Sequence, residues 1–188
     1  IFTSNKESVS RKAGDWGGLI ILGDSNVNKI GGLSFLDLGL DRSLSIYGGN
    51  NTESNSGILN YVRIEYAGRK LIKQEKEHNG LSLAGVGNKT ILNNIQISYS
   101  NDDSFEFYGG NVTVENLISF RATDDDFDFT QGVQATIKNS IAIRYPFTSD
   151  ASRSRCFEID TYDNIETSDQ AKNVTQINAS NMVFLNNE

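Results

Sequence analysis

The feature that most constrains this chain is a short string that occurs twice. Asp102-Asp103-Ser104-Phe105-Glu106-Phe107 returns 22 residues later as Asp124-Asp125-Asp126-Phe127-Asp128-Phe129. A period of this length marks a solenoid, because a coil of some two dozen residues cannot bury its apolar side alone and must stack on its neighbours.

A second register supports the first. Asn60, Asn93, Asn116, Asn139 and Asn181 align in one column. Two places before them stand Ile58, Ile91, Val114, Ile137 and Ala179; two places after, Val62, Ile95, Ile118, Ile141 and Val183; four after, Ile64, Ile97, Phe120, Ile143 and Leu185. Period-2 alternation puts all of these side chains on one inward face, with the Asn residues forming a hydrogen-bonded ladder at a corner. Leu81 and Leu83, Phe105 and Phe107, Phe127 and Phe129, and Phe157 and Ile159 give a second inward column, with Ser82, Glu106, Asp128 and Glu158 pointing outward between them.

Apolar residues alternate with polar ones in runs of five or six, and nothing repeats at helical spacing. The chain therefore reads as all-β: a right-handed parallel β-helix of about 22 to 23 residues per coil with loop insertions. It is taken as a single β-helix domain over 1–188. The abrupt start at Ile1 suggests a fragment lacking N-terminal coils or a cap. The longest interruption, Arg69 to His78, is expected to be a short surface helix or a loop, with His78 solvated. Cys156 and Trp16 are expected in the core.

The net charge of −7 is concentrated in one place. Between Asn101 and Thr130 eight acids face one base, Arg121, while the rest of the chain carries sixteen charges of each sign. Such a surface repels phosphate, so nucleic acid is not expected as a partner. Nor is direct membrane insertion, since no apolar run is long enough.

Stacked in register, Glu106, Asp128 and Glu158 would lie about 4.8 Å apart, close enough for like charges to destabilise the sheet. Asp102, Asp103, Asp124, Asp125 and Asp126 crowd the adjoining turn. The repulsion can be relieved by solvation, by Asp side chains capping turn amides, or by a cation such as Ca2+, for which Asp102, Asp103, Glu106, Asp124, Asp125, Asp126 and Asp128 are the candidate ligands. Asp124, Asp126 and Asp128 have the 1-3-5 spacing of an EF-hand, but Phe129 at position six and Ala135 at position twelve exclude one. Arg121 and Arg144 are the candidate binding residues beside the acidic patch. One His and one Cys exclude a zinc cluster or a Cys/His pair.

The strings GDWGGLIILG, YGGNNTESNSGILNYVRIEYAG, NGLSLAGVGNKTILNNIQISYSNDDSFEFYGG and FRATDDDFDF resemble a family of secreted or surface-anchored right-handed β-helix proteins of Bacteroidetes. The resemblance covers most of Gly14 to Phe129 and fades after Tyr145. It implies export, often as a lipoprotein or with a sorting tail, and supplies no catalytic residue. The expectation is thus a non-catalytic cell-surface scaffold or adhesion module, Ca2+-stabilised through its acidic patch. Its partner would be a glycan or another surface protein, and self-association end to end or side by side is open to it. The alternative is a Ca2+-dependent, polysaccharide-lyase-like enzyme acting on acidic polysaccharide, with Arg121 as the base.

Overall fold

The computed structural model describes residues 1–37, 39, 41–71, 76–151 and 153–186. Short strands recurring once per coil build the first sheet: β1 (Leu19–Leu22), β7 (Leu81–Ala84), β9 (Phe105–Tyr108), β11 (Phe127–Thr130) and β13 (Phe157–Ile159), all parallel and adjacent in that order. Phe105 pairs with Phe127 and Phe127 with Phe157, so the 22-residue step is one turn of a parallel β-helix. Phe105 and Phe127 stack with ring centroids 5.3 Å apart and Phe107 and Phe129 at 4.7 Å; these four rings are fully buried. An aromatic row of this kind stabilises by area burial and by ring–ring contact together.

Longer strands form the second sheet: β4 (Ile58–Glu65), β8 (Ile91–Ser98), β10 (Asn111–Phe120), β12 (Gln134–Ile143) and β14 (Gln176–Leu185), again parallel. Each is bent at one residue in the left-handed region: Tyr61, Asn94, Asn116, Asn139 and Asn181, with φ of 52° to 57°. Asn tolerates that conformation better than other residues with a β-carbon, which explains its recurrence. The bend turns each strand into two walls and gives the coil three sides.

This geometry corrects the alternation read from sequence. The Asn ladder exists, with Asn94 Nδ2 donating to Asn60 Oδ1 (2.8 Å), Asn116 to Asn94 (3.1 Å) and Asn181 to Asn139 (2.8 Å). But it lines an outer corner rather than the interior, and its bent residue in the first two coils is Tyr61 and Asn94, one place beyond Asn60 and Asn93. A left-handed residue inverts the parity of the strand that follows. In β10 the buried residues are Val112, Val114, Leu117 and Ser119, so Ile118 and Phe120 turn outward, as do Ile141 and Ile143 in β12; Ile58 and Ile91 are exposed. Val62, Ile64, Ile95 and Ile97 do face inward. Trp16 and Cys156 pack against the core; Trp16 Nε1 donates to the Glu65 carbonyl at 2.8 Å, and burial pushes the Cys156 thiol up to about 11.

Two insertions fold over the outer side of the first sheet. β2 (Ser34–Phe35) and β3 (Ile46–Tyr47) pair antiparallel, and Tyr47, Leu36 and Val27 pack on Ala84 with Ile20, Leu22 and Tyr108 beside them. The loop after β13 closes on the same segment, with Asn28 Nδ2 donating to the Thr161 carbonyl at 2.7 Å and Lys29 paired with Asp163. The Arg69–His78 interruption is not a helix among the described residues. Its β5 (Lys70–Leu71) and β6 (Lys76–Glu77) pair antiparallel, while 72–75 lie outside the described residues. No helix among the described residues is long and apolar enough to cross a membrane.

Candidate functional site

The outward positions of the first sheet form the row Ser82, Glu106, Asp128, Glu158, as the register requires. Asp103, from the turn before β9, joins it. Ligand oxygens of Asp103, Glu106 and Asp128 all lie within 4.8 Å of one another. Asp128 Oδ1 is buried and has no protein partner. Burial and then Asp128 push Glu106 up to about 8, while burial and then Glu158 push Asp128 up to about 7. Asp103 is raised well above the usual carboxylate range by burial, Glu106 and Asp102. Like-charged oxygens this close must share protons or a cation. An all-oxygen donor set suits a hard cation such as Ca2+.

The other candidates divide by role. Asp103 Oδ1 also accepts the Asp125 N–H at 2.9 Å, and Asp125 Oδ1 accepts the Arg155 N–H, so the turn-capping reading holds for both. Burial, with Glu158 next, pushes the Asp125 carboxyl up to about 8. Asp102 and Asp124 meet Asp103 in a second group of three. Asp126 stands apart from the carboxylate centre: fully buried, it accepts from Ser119 Oγ and from Arg144 Nη1 at 2.9 Å.

Arg144 is therefore an internal strut. It is 9% exposed and also donates to the carbonyls of Asp124 (2.8 Å) and Arg155 (3.0 Å). Arg121 is engaged elsewhere, its guanidinium lying 4.5 Å from the Tyr145 ring centroid and 5.0 Å from that of Phe120. The base that does stand on the acidic wall is Arg155, with Nη1 2.8 Å from Glu158 and 3.9 Å from Asp125. It stands two residues before Phe157, the place that Asp103 and Asp125 hold before Phe105 and Phe127, so the repeat marks it once the loop after Tyr145 is allowed for.

Beside the carboxylate centre a cavity of about 180 Å3 opens under the β2–β3 hairpin. Asn79, Ser82, Tyr108 and Gln131 lie along it, with Phe35, Tyr47, His78 and Asp163. Glu106 joins the two features, accepting from both Asn79 Nδ2 and the Tyr108 hydroxyl. Ser82 and Tyr108 are outward residues of the repeated strand and Gln131 directly follows it, so the repeat marks them; Phe35, Tyr47, His78 and Asp163 come from insertions with no repeat to mark them. His78 is half-buried here rather than solvated, and burial, then Arg69, lowers its pKa.

The whole chain, residues 1–188, matches the model of the family described as pectate-lyase-like beta helix domain, and it belongs to that family. Neither the curated proteins nor the solved structures contain a match.

Proposed function

We propose that this pectate-lyase-like β-helix domain is a non-catalytic carbohydrate-binding module whose centre, Asp103, Glu106 and Asp128, holds a divalent cation, Ca2+ by its donor chemistry. The observation that carries the reading is the convergence of three carboxyls within 4.8 Å with Asp128 Oδ1 buried and unpartnered. Carboxylates rarely persist so arranged unless protons or a metal offset their repulsion. Family membership supports the carbohydrate partner. The motifs shared with exported Bacteroidetes β-helix proteins support a place at the cell surface.

The non-catalytic side of the reading rests on the bases. Arg121 is held against aromatic rings, Arg144 is locked to Asp126, and Arg155 is shared between two carboxylates. A lyase needs a base beside the metal that can take a proton from the sugar. Arg155 is the position an enzyme reading would have to use.

Thermal melting in EDTA, followed by Ca2+ addition, tests the module. Ca2+ is expected to raise the melting temperature by several degrees, as selective binding to the folded state requires. An unchanged melting curve across millimolar Ca2+, Mg2+ and Mn2+ would remove the cation. Appearance of unsaturated uronate absorbance with acidic polysaccharides would overturn the non-catalytic assignment.

A further inference from the structure

We propose that the cavity under the β2–β3 hairpin binds one neutral sugar unit, an inference that rests on the carbohydrate-module reading above and names the chemistry it selects. Its floor is buried: Asn79 is 3% exposed and Ser82 4%, while Phe35 and Asp163 stand at an exposed rim. The shape is that of a pocket entered from outside.

Its polar groups are mostly acceptors. Asn79 spends its Nδ2 on Glu106 and Ser82 Oγ, which leaves its buried Oδ1 without a partner. The Tyr108 hydroxyl donates to Glu106 and meets Asn79 Nδ2 at 3.5 Å, and the Tyr47 hydroxyl donates to Gln131 Oε1 at 3.0 Å with Ser34 also bonded to it, so each phenol oxygen keeps one lone pair for a ligand. Asp163 adds a carboxylate already held by Lys29 and by Gln131 Nε2 (3.0 Å). The Ser82 hydroxyl and the His78 ring can still donate, but the carboxyls of Glu106 and Asp163 flank the cavity, which disfavours an acidic sugar and suits hydroxyl groups that both donate and accept. The rings of Phe35, Tyr47 and Tyr108 supply apolar surface for the C–H face of a pyranose.

Size sets the length of the ligand. At about 30 Å3 per water, 180 Å3 holds about six waters, which is room for a single ring and well below the several hundred Å3 of sites that take larger ligands. The orphaned Asn79 Oδ1 is the reason to expect an occupant, since a buried acceptor left unpaired costs stability until a donor meets it.

Saturation-transfer NMR with the methyl glycosides of glucose, galactose and mannose, and with galacturonate, is the test. At least one neutral glycoside is expected to bind with a dissociation constant on the order of a millimolar, and galacturonate at least tenfold more weakly. Ser82→Leu, which fills the floor, should abolish binding. Phe35→Ala, at the exposed rim, should weaken it several-fold and decides the matter if Ser82→Leu does not fold. No binding by any neutral glycoside, equal binding of galacturonate, or wild-type affinity in a folded variant would overturn the proposal. Each titration is repeated in EDTA and in Ca2+. Glycoside binding without any Ca2+ effect on melting sinks the cation centre and leaves the cavity; a Ca2+ effect without glycoside binding sinks the cavity alone.

Discussion

Asp103 Oδ1 accepts the backbone N–H of Asp125, 22 residues ahead, at 2.9 Å, and so ties one coil to the next through a side chain that also belongs to the carboxylate centre. Removing the acceptor and removing the charge should therefore have different effects. Asp103→Ala orphans a buried N–H and is expected to cost about 1 to 3 kcal/mol in urea unfolding. Asp103→Asn keeps an acceptor while relieving repulsion, so the cation-free protein should retain its stability but lose its response to Ca2+. Equal destabilisation by both would separate the cap from the centre.

The centre also sets a pH dependence. Glu106 and Asp128 have carboxyls raised to about 8 and about 7 in the fold, against ordinary values near 4. Between those limits the folded chain holds more protons than the unfolded one, so its stability falls as pH rises. In EDTA the melting temperature should drop from about pH 5 to pH 8, and saturating Ca2+ should flatten or reverse that slope. A cation-free melting temperature that rises over this range would contradict the assignment.

Phe127 lies between Phe105 and Phe157, 5.3 Å from each ring. Phe127→Ala opens a cavity in the middle of the row and is expected to cost about 3 to 5 kcal/mol by denaturant titration. Phe127→Leu should recover a large part of that loss.

The two arginines beside the repeat should behave in opposite ways. Arg144→Ala strands the buried Asp126 carboxylate and should cost about 3 to 5 kcal/mol. Replacing both partners, Arg144→Met with Asp126→Leu, should restore most of it. Arg121→Ala removes only ring contacts at a half-buried position and should cost about 0.5 to 1 kcal/mol.

The corner ladder can be probed at Asn116, whose φ is 57°. Asn116→Gly loses only the exposed hydrogen bond to Asn94, since glycine enters that region freely, and should cost less than about 1 kcal/mol. Asn116→Val should cost about 1 to 2 kcal/mol through the left-handed backbone alone. Equal melting temperatures for the two would show that the backbone relaxes there.

By itself the sequence determined the solenoid: the return of Phe105-Glu106-Phe107 as Phe127-Asp128-Phe129 dictates parallel stacking, an aromatic core and an outward acidic row, because strand parity is a local property that a repeat copies from coil to coil. It also held the Asn ladder, although not the side on which that ladder stands. A single left-handed residue reverses parity, and the Asn93-Asn94 doublet and Tyr61 do not announce which residue bends. What only the tertiary structure decided was which charges meet. Asp126 and Arg144, 18 residues apart, close into a buried pair, and Asn79, Tyr47 and Asp163 converge on the outer sheet from insertions of no fixed length. A repeat specifies what lies above and below a residue, whereas an insertion's destination depends on where its whole backbone packs.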